Sequence, residues 1–357
     1  MRPRVRTVLV LLLTLGLLAF FLRNANMAAV WAEMRRARPL LLLAATLVTA
    51  VTYALRAFRW QYLLAPLGHV HFGIAFRATV IGFAATFLLP ARAGEVIRPY
   101  LLARREGLPT TATMATVVME RVLDLIAVLT LLAIYVWGFT GDSPLPDRLL
   151  NPVKVSATLA AAVSVVLMAV MWVLATHPER IGKLAAAAAR ILPGRLSERV
   201  GHLTTTFSGG FAATRSPRAL LLAMLWSFPL WLAIAAEAWA VTVAFGIDMP
   251  FAGTFLLQAL LVIGVAVPTP GGVGGYHEAY RIGVTTFFGA PNDRAVAAAI
   301  VTHAISFVPV VLLGVIFMAQ DGLSVSGLKD LAGAARQKDE KEGAHTDEVP
   351  VLRPSGR

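Results

Sequence analysis

Apolar residues in this chain gather into long runs at positions 7–22, 39–55, 113–139, 153–175, 219–245 and 295–318, and the segments between them hold most of the Arg, Lys, Gly and Pro. A helix needs about 20 consecutive apolar residues to cross roughly 30 Å of hydrocarbon. The pattern therefore predicts an all-α polytopic membrane protein with about six full transmembrane helices. The first run follows Arg2, Arg4 and Arg6. It reads either as a signal-anchor, which suits its length, or as the apolar core of a signal peptide.

Two further apolar segments are interrupted. Residues 72–89 run into Pro90 and Gly94, and residues 251–267 run into Pro268, Pro270, Gly271, Gly272, Gly274 and Gly275. Proline and clustered glycine break a helix, and each break is followed by a shorter apolar stretch, 96–103 and 276–288. Each pair predicts a re-entrant hairpin of two half-helices, which survives at membrane depth only where it is buried in protein or lines a wet cavity. The alternative for each is a kinked full span.

Composition narrows the class. Hydrophobic residues make up 57% of the chain and charged ones 15%, mean hydropathy is +0.71, and there is no cysteine. Those values exclude an ordinary soluble domain, and the last excludes disulfides, thiolate nucleophiles and Cys-ligated metal. The net charge of +12 would suggest nucleic acid in a soluble protein. Here no nucleic-acid partner is expected, because the basic residues cluster in loops and ends in the positive-inside manner. Segment 177–218 carries seven Lys or Arg against two Glu, whereas 141–152 holds Asp142, Asp147 and one Arg. The first belongs in the cytoplasm, and with six spans and two hairpins both termini fall there too. Arg35, Arg36 and Arg38 then lie on the outer side, against the rule. Leu196, Val200, Leu203, Phe207 and Phe211 recur at helical spacing and predict an amphipathic segment on the inner leaflet. The chain thus divides into an anchor helix and connector (1–38), a membrane domain (39–320) and a charged tail predicted to be disordered (321–357).

A shift of 183 residues superimposes Glu95 on Glu278, Arg98 on Arg281 and Glu120 on His303, and brings the two breaks nearly together. The halves, 39–140 and 217–320, are joined by 141–216 and start on opposite sides in this topology. An inverted repeat follows, the architecture in which secondary transporters hold substrate between broken helices.

An ionisable side chain at the bilayer centre costs at least about 2.5–3.5 kcal/mol on insertion scales, so charges inside these segments mark either a site or a structural pair. At the first break stand Arg92, Gly94, Glu95 and Arg98. Glu95 and Arg98 are three apart on one helix face, and the helix start offers free N–H groups to an anion; the other reading is a self-neutralising Glu–Arg pair. Glu120 and Asp124 share a face, with Arg121 between them in sequence. They either cap the end of a span or pack against the hairpin with Arg92 or Arg98 as counter-ion. Gly271, Gly272 and Gly274 let backbone approach a head group ahead of Glu278 and Arg281. That segment lacks the Gly-Lys-Ser/Thr of a Walker loop and the His-Glu-x-x-His of a zinc helix, so neither cofactor nor metal is expected. Glu237 and His303 stand alone in apolar spans and read either as packing residues or as a proton relay.

Four strings occur in order on these segments: Arg56-x-x-Arg59-Trp60, Leu89-Pro90-x-Arg92-x-Gly94-Glu95-x-x-Arg98, Glu120-Arg121-Val122-Leu123-Asp124 and Pro270-Gly271-Gly272-x-Gly274-x-x-x-Glu278. In these the chain resembles the lysylphosphatidylglycerol synthase transmembrane, or flippase-like, family, which includes the membrane half of the multiple peptide resistance factor. The resemblance implies a multi-pass protein of the cell membrane that flips or transports a lipid. It places Arg56 and Arg59 with the clustered residues above as binders of an anionic phospho- or glycolipid head group, and it admits a lipid-modifying enzyme as partner. The chain departs from the pattern at Thr86, where Asn is usual. About 40 polar residues follow the last run, where the resistance factor carries an aminoacyl-transfer domain, so lysine transfer by this chain alone is not expected. Two alternatives stay open. One is a membrane-embedded transferase or phosphatase acting on a lipid-linked substrate, with Glu95 or Asp124 as base and His303 as acid. The other is a lipid-binding accessory subunit.

Overall fold

A computed structural model describes residues 3–89, 92–139, 147–176 and 216–323. Eleven α-helices are found among them: α1 (Pro3–Leu22), α2 (Met27–Arg36), α3 (Pro39–Leu64), α4 (Phe72–Leu88), α5 (Gly94–Glu106), α6 (Thr110–Phe139), α7 (Asp147–Thr176), α8 (Pro217–Ala244), α9 (Gly253–Ala266), α10 (Gly275–Phe288) and α11 (Asn292–Gln320). Their ends follow local chemistry. Pro39 and Pro217 occupy the first turns of α3 and α8, where a missing N–H costs nothing. Asn26 caps α2 and Ser216 caps α8 through side-chain oxygens, and left-handed Gly107 and Gly289 close α5 and α10.

The all-helical polytopic fold is the one the apolar runs predict. Helices α3, α6, α7, α8 and α11 are long and apolar enough to cross a membrane, and α1 and α2, bent by 78°, qualify jointly as one more span. One boundary is corrected: α3 does not end at residue 55 but runs to Leu64. Arg56 and Arg59 are therefore not flanking charges at an interface; the helix carries them and Trp60 into the protein, where they find partners. Pro90, Ala91, the amphipathic segment with Leu196 to Phe211, residues 141–146 of the 141–152 segment and all but the start of the tail lie outside the described residues.

Helix packing repeats between the halves. Exchange α3 with α8, α4 with α9, α5 with α10 and α6 with α11, and each extensive pairing among these eight finds its counterpart. Thus α3 packs on α4 as α8 does on α9, and α5 on α6 as α10 on α11. The halves also cross over: α4 lies against α11 as α9 lies against α6, with α3 and α8 packed together at the centre. Both helices bury small side chains, among them Ala45, Thr49 and Ala57 of α3 and Ala223, Ser227 and Ala238 of α8, and small residues let helices approach closely without a hydrophobic drive between them.

Both broken segments fold back on themselves. A Cβ on Gly68, ahead of α4, would sit 3.0 Å from the Leu108 side chain beyond α5, and one on Gly253 would sit 2.7 Å from Phe288 at the end of α10. The outer ends of each pair of arms are therefore adjacent. Toward the turns the arms almost touch. A Cβ on Gly94 would lie 1.8 Å from the Gly82 carbonyl oxygen, and one on Gly275 would lie 2.3 Å from that of Gly264. Only glycine fits at these two crossings.

Candidate functional site

The first hairpin meets α3 and α6 through a buried ionic cluster. Arg59 is fully buried. Its Nη2 donates to Glu120 Oε1 at 2.9 Å, and its Nη1 donates to Asp124 Oδ1 at 2.6 Å and to Ser227 Oγ at 3.0 Å. The planar fork of a guanidinium suits this double engagement. Glu120 is also fully buried and turns its second oxygen, Oε2, to Arg98 Nη1 at 2.6 Å. Trp231 Nε1 donates to Asp124 Oδ1 at 3.0 Å. The guanidinium carbon of Arg98 lies 3.8 Å from the centroid of the Trp60 ring, a cation–π contact, and Trp60 Nε1 donates to Thr116 Oγ1 at 2.8 Å. Taking such charges out of water costs several kcal/mol per ion, recovered only when geometry and hydrogen bonding are good. Here each carboxylate meets at least one guanidinium.

One side of the cluster is open. A cleft lined by Gly82, Phe83, Thr86, Gly94, Glu95, Arg98, Val117 and Arg121 runs beside the first hairpin. Arg98 is 3% exposed, yet its Nε and Nη2 have no hydrogen-bond partner within the protein. Arg121 reaches Asp124 Oδ2 only at 3.7 Å and is 43% exposed along its side chain. Arg56 stands 5.0 Å over the ring of Phe83, a wall of the cleft. Arg92 and Glu95 are 3.6 Å apart at the mouth. Glu95, Arg98 and Arg121 line this space. With Arg56, Arg59 and Arg92 and the carboxylates of Glu120 and Asp124 beside them, five guanidiniums stand against three carboxylates in this part of the protein.

Arg92 also links the two hairpins. It adopts a left-handed backbone conformation, with φ of 52°, and its Nη2 donates to the Val265 carbonyl oxygen at 2.6 Å. Val265 lies in the last turn of α9, whose carbonyls have no helical partner. The first hairpin thereby caps an arm of the second.

The second hairpin is organised differently. Glu278 and Arg281 pair with each other through two contacts, the longer 2.9 Å, and Arg281 also donates to Asn292 Oδ1 at 3.1 Å. This is the self-neutralising pair that the first hairpin does not form: there Glu95 faces Arg92 and Arg98 turns to Glu120. Gly271, with φ of 60°, forms the turn, and His303 Nε2 contacts the Gly271 carbonyl oxygen at 2.9 Å, a contact the imidazole N–H can fill as donor. His277 packs 4.4 Å from the His303 ring and 5.2 Å from Phe21 of α1. A Cβ on Gly274 would lie 2.5 Å from Leu17, so α1 covers this turn closely. Glu237 makes no ion pair with either cluster among the described residues and stands 2.6 Å from Ser306 Oγ.

Of the residues singled out from the sequence, Arg56, Arg59, Arg92, Gly94, Glu95, Arg98, Glu120, Arg121 and Asp124 come together around the first hairpin. Gly271, Gly272, Gly274, Glu278, Arg281 and His303 gather at the second, and Glu237 stands with neither. The reading of Glu120 and Asp124 as caps at the end of a span is overturned: α6 starts at Thr110, and both are buried well inside it. Trp60, Trp231, Ser227 and Gly82 were not among the candidate site residues. Trp60 is signalled by its place directly after Arg59, and Gly82 by being a glycine inside an apolar helix. Nothing local marks Ser227 or Trp231, which reach the cluster only because α8 crosses α3.

Sequence comparisons cover nearly the whole of this architecture. The family described as lysylphosphatidylglycerol synthase TM region matches residues 7–314. A glycosyltransferase, AglD, of Haloferax volcanii is 24% identical over 94% of the chain, and the match spans 58% of that protein's length. UPF0104 membrane proteins of Methanothermobacter thermautotrophicus and Archaeoglobus fulgidus are 26% and 24% identical, over 76% and 74% of the chain and 81% and 82% of their own.

Proposed function

The chain belongs to the lysylphosphatidylglycerol synthase TM-region family, and we propose that it binds the anionic head group of a membrane lipid in the cleft beside the first hairpin and moves that lipid between leaflets. The observation that carries this reading is Arg98: a buried guanidinium in the cleft wall with two nitrogens, Nε and Nη2, unmatched by protein, amid an excess of positive charge. A phosphate or an acidic sugar offers the oxygens that such donors need. Glu95 at the mouth sets a boundary on the cargo, because a bare dianion would meet it repulsively unless Arg92 stays paired to it. The glycosyltransferase relative keeps glycolipid head groups beside phospholipid ones as cargo. In this reading each hairpin enters and leaves the bilayer on one face, the two from opposite sides, and the lipid passes along the contact between halves, where Arg92 bridges to Val265.

The test is reconstitution of the full chain into liposomes that contain a fluorescent anionic lipid, with a membrane-impermeant quencher outside. Protein-containing vesicles should lose inner-leaflet fluorescence faster than protein-free ones, and faster for an anionic than for a cationic lipid. Equal rates with and without protein would contradict lipid movement. Bound lipid of one charge class in native mass spectra, without movement, would favour an accessory lipid-binding subunit.

A further inference from the structure

We propose that Glu237 is a proton-binding site and that its proton is the co-substrate to which lipid movement is coupled; the coupling rests on the function proposed above, the proton binding does not. Glu237 lies within the apolar helix α8, is 5% exposed and forms no ion pair among the described residues. A carboxylate left bare at such depth is costly. The neighbouring hydroxyl shows how the cost is avoided. Ser306 Oγ stands 2.6 Å from Glu237 Oε1 and 3.0 Å from the Thr302 carbonyl oxygen. A serine hydroxyl has one hydrogen, and a carbonyl oxygen can only accept. Both contacts are hydrogen bonds at once when Ser306 donates to Thr302 and the Glu237 carboxyl, carrying a proton, donates to Ser306.

The titratable and charged groups facing Glu237 are Tyr53 and Arg56 from α3 and Tyr276 and Tyr280 from α10; α11 contributes Ser306 and Thr302, which do not titrate. Arg56 is the cation in this set, and it also stands over Phe83 in the wall of the lipid cleft and near Asp124. Release of the proton breaks the carboxyl O–H bond, hands H+ to water and leaves a carboxylate whose available counter-charge is Arg56. Arg56 would then be drawn from Phe83 toward Glu237, so that the deprotonated carboxylate and the head group compete for one guanidinium, and protonation of Glu237 frees it for the head group. The polar contact also ties α8 to α11, the same two positions in the second half that Arg59 and Glu120 tie in the first through α3 and α6. Where the first half is held by ions, the second is held by a removable proton.

Two measurements on the full chain test this. Infrared spectra of the purified protein over a pH series should show a protonated-carboxyl stretch that titrates in the wild type and is lost in Glu237→Gln; Ser306→Ala, which keeps the carboxyl, should shift the pH at which the band titrates. In liposomes, an imposed proton gradient should change the rate of anionic lipid movement in the wild type and leave the rate in Glu237→Gln unchanged by the gradient. A wild type without the band, a band that survives in Glu237→Gln, or an unshifted band in Ser306→Ala overturns proton binding at this residue. Gradient-dependent movement that persists in Glu237→Gln overturns the coupling. A wild type that moves no lipid under any gradient overturns the coupling together with the function proposed above, while the infrared titration still decides whether Glu237 takes up a proton.

Discussion

The two hairpins share a backbone plan and differ in what they do with charge. Each has two short arms whose outer ends meet, a glycine crossing near the turn and a Glu-x-x-Arg in the second arm. In the second hairpin the Glu and Arg satisfy one another. In the first, Arg98 leaves Glu95 and joins Glu120, Arg59 and Trp60 inside the protein, while Glu95 stays at the mouth with Arg92. A repeated scaffold therefore fixes where the backbone breaks, and the partners supplied by neighbouring helices decide how the Glu and Arg at each break are paired. The deciding partner is Glu120, whose counterpart under the 183-residue shift is His303, a residue that holds the Gly271 turn rather than an arginine.

The largest contrast is expected from the two glutamates that hold the arginines. Glu120→Gln removes the anion shared by Arg59 and Arg98 and leaves buried cations short of charge, a loss of about 3–5 kcal/mol. Glu278→Gln, in a pair of more exposed side chains, should cost about 1 kcal/mol. Thermal unfolding of the two in one detergent measures the difference, and equal losses would remove the distinction drawn between the hairpins. The glycine crossings should behave alike instead. Gly94→Ala and Gly275→Ala each force a methyl against a carbonyl oxygen of the opposing arm and should each cost about 1–3 kcal/mol or more, seen as lower unfolding temperature and reduced monodisperse yield. A sharp effect in one and none in the other would break the repeat. A smaller effect is expected of Arg92→Ala, which loses one hydrogen bond to Val265 worth about 1 kcal/mol. Crosslinking between cysteines placed at positions 92 and 265 of this cysteine-free chain should find them close, and failure to crosslink would separate the hairpins.

Much of this was legible in the sequence, for physical reasons that particular residues make plain. Apolar runs declare helices at any depth, because lipid-facing and core-facing positions are equally apolar; Leu40 and Leu47 of α3 are exposed on the fold where Ala45 is buried, and all read as span. Pro and Gly clusters declared both breaks. Charges in the spans declared that partners were needed but did not name them. The spacing of Glu95 and Arg98 matched that of Glu278 and Arg281, yet only the latter pair formed, because pairing is settled by Glu120 and Trp60 on other helices. Arg59 lies beyond the apolar run of α3, where a charge normally marks an interface; it is buried instead because two carboxylates of α6 pair with it. Gly82 and Gly264 gave no sign beyond their identity, because a close approach of two backbones depends on both arms.

Lipid movement by Arg121→Ala and Arg281→Ala, measured side by side in the same liposomes, decides which hairpin holds the lipid. Arg121 lines the cleft with its side chain largely free, and Arg281 is committed to Glu278 and Asn292. Both proteins should remain folded, with Arg121→Ala slowing anionic lipid movement about tenfold, the effect of some 1.4 kcal/mol of lost binding, and Arg281→Ala close to the wild type. Wild-type movement by a folded Arg121→Ala, with loss confined to Arg281→Ala, would place the site at the other hairpin and contradict the account.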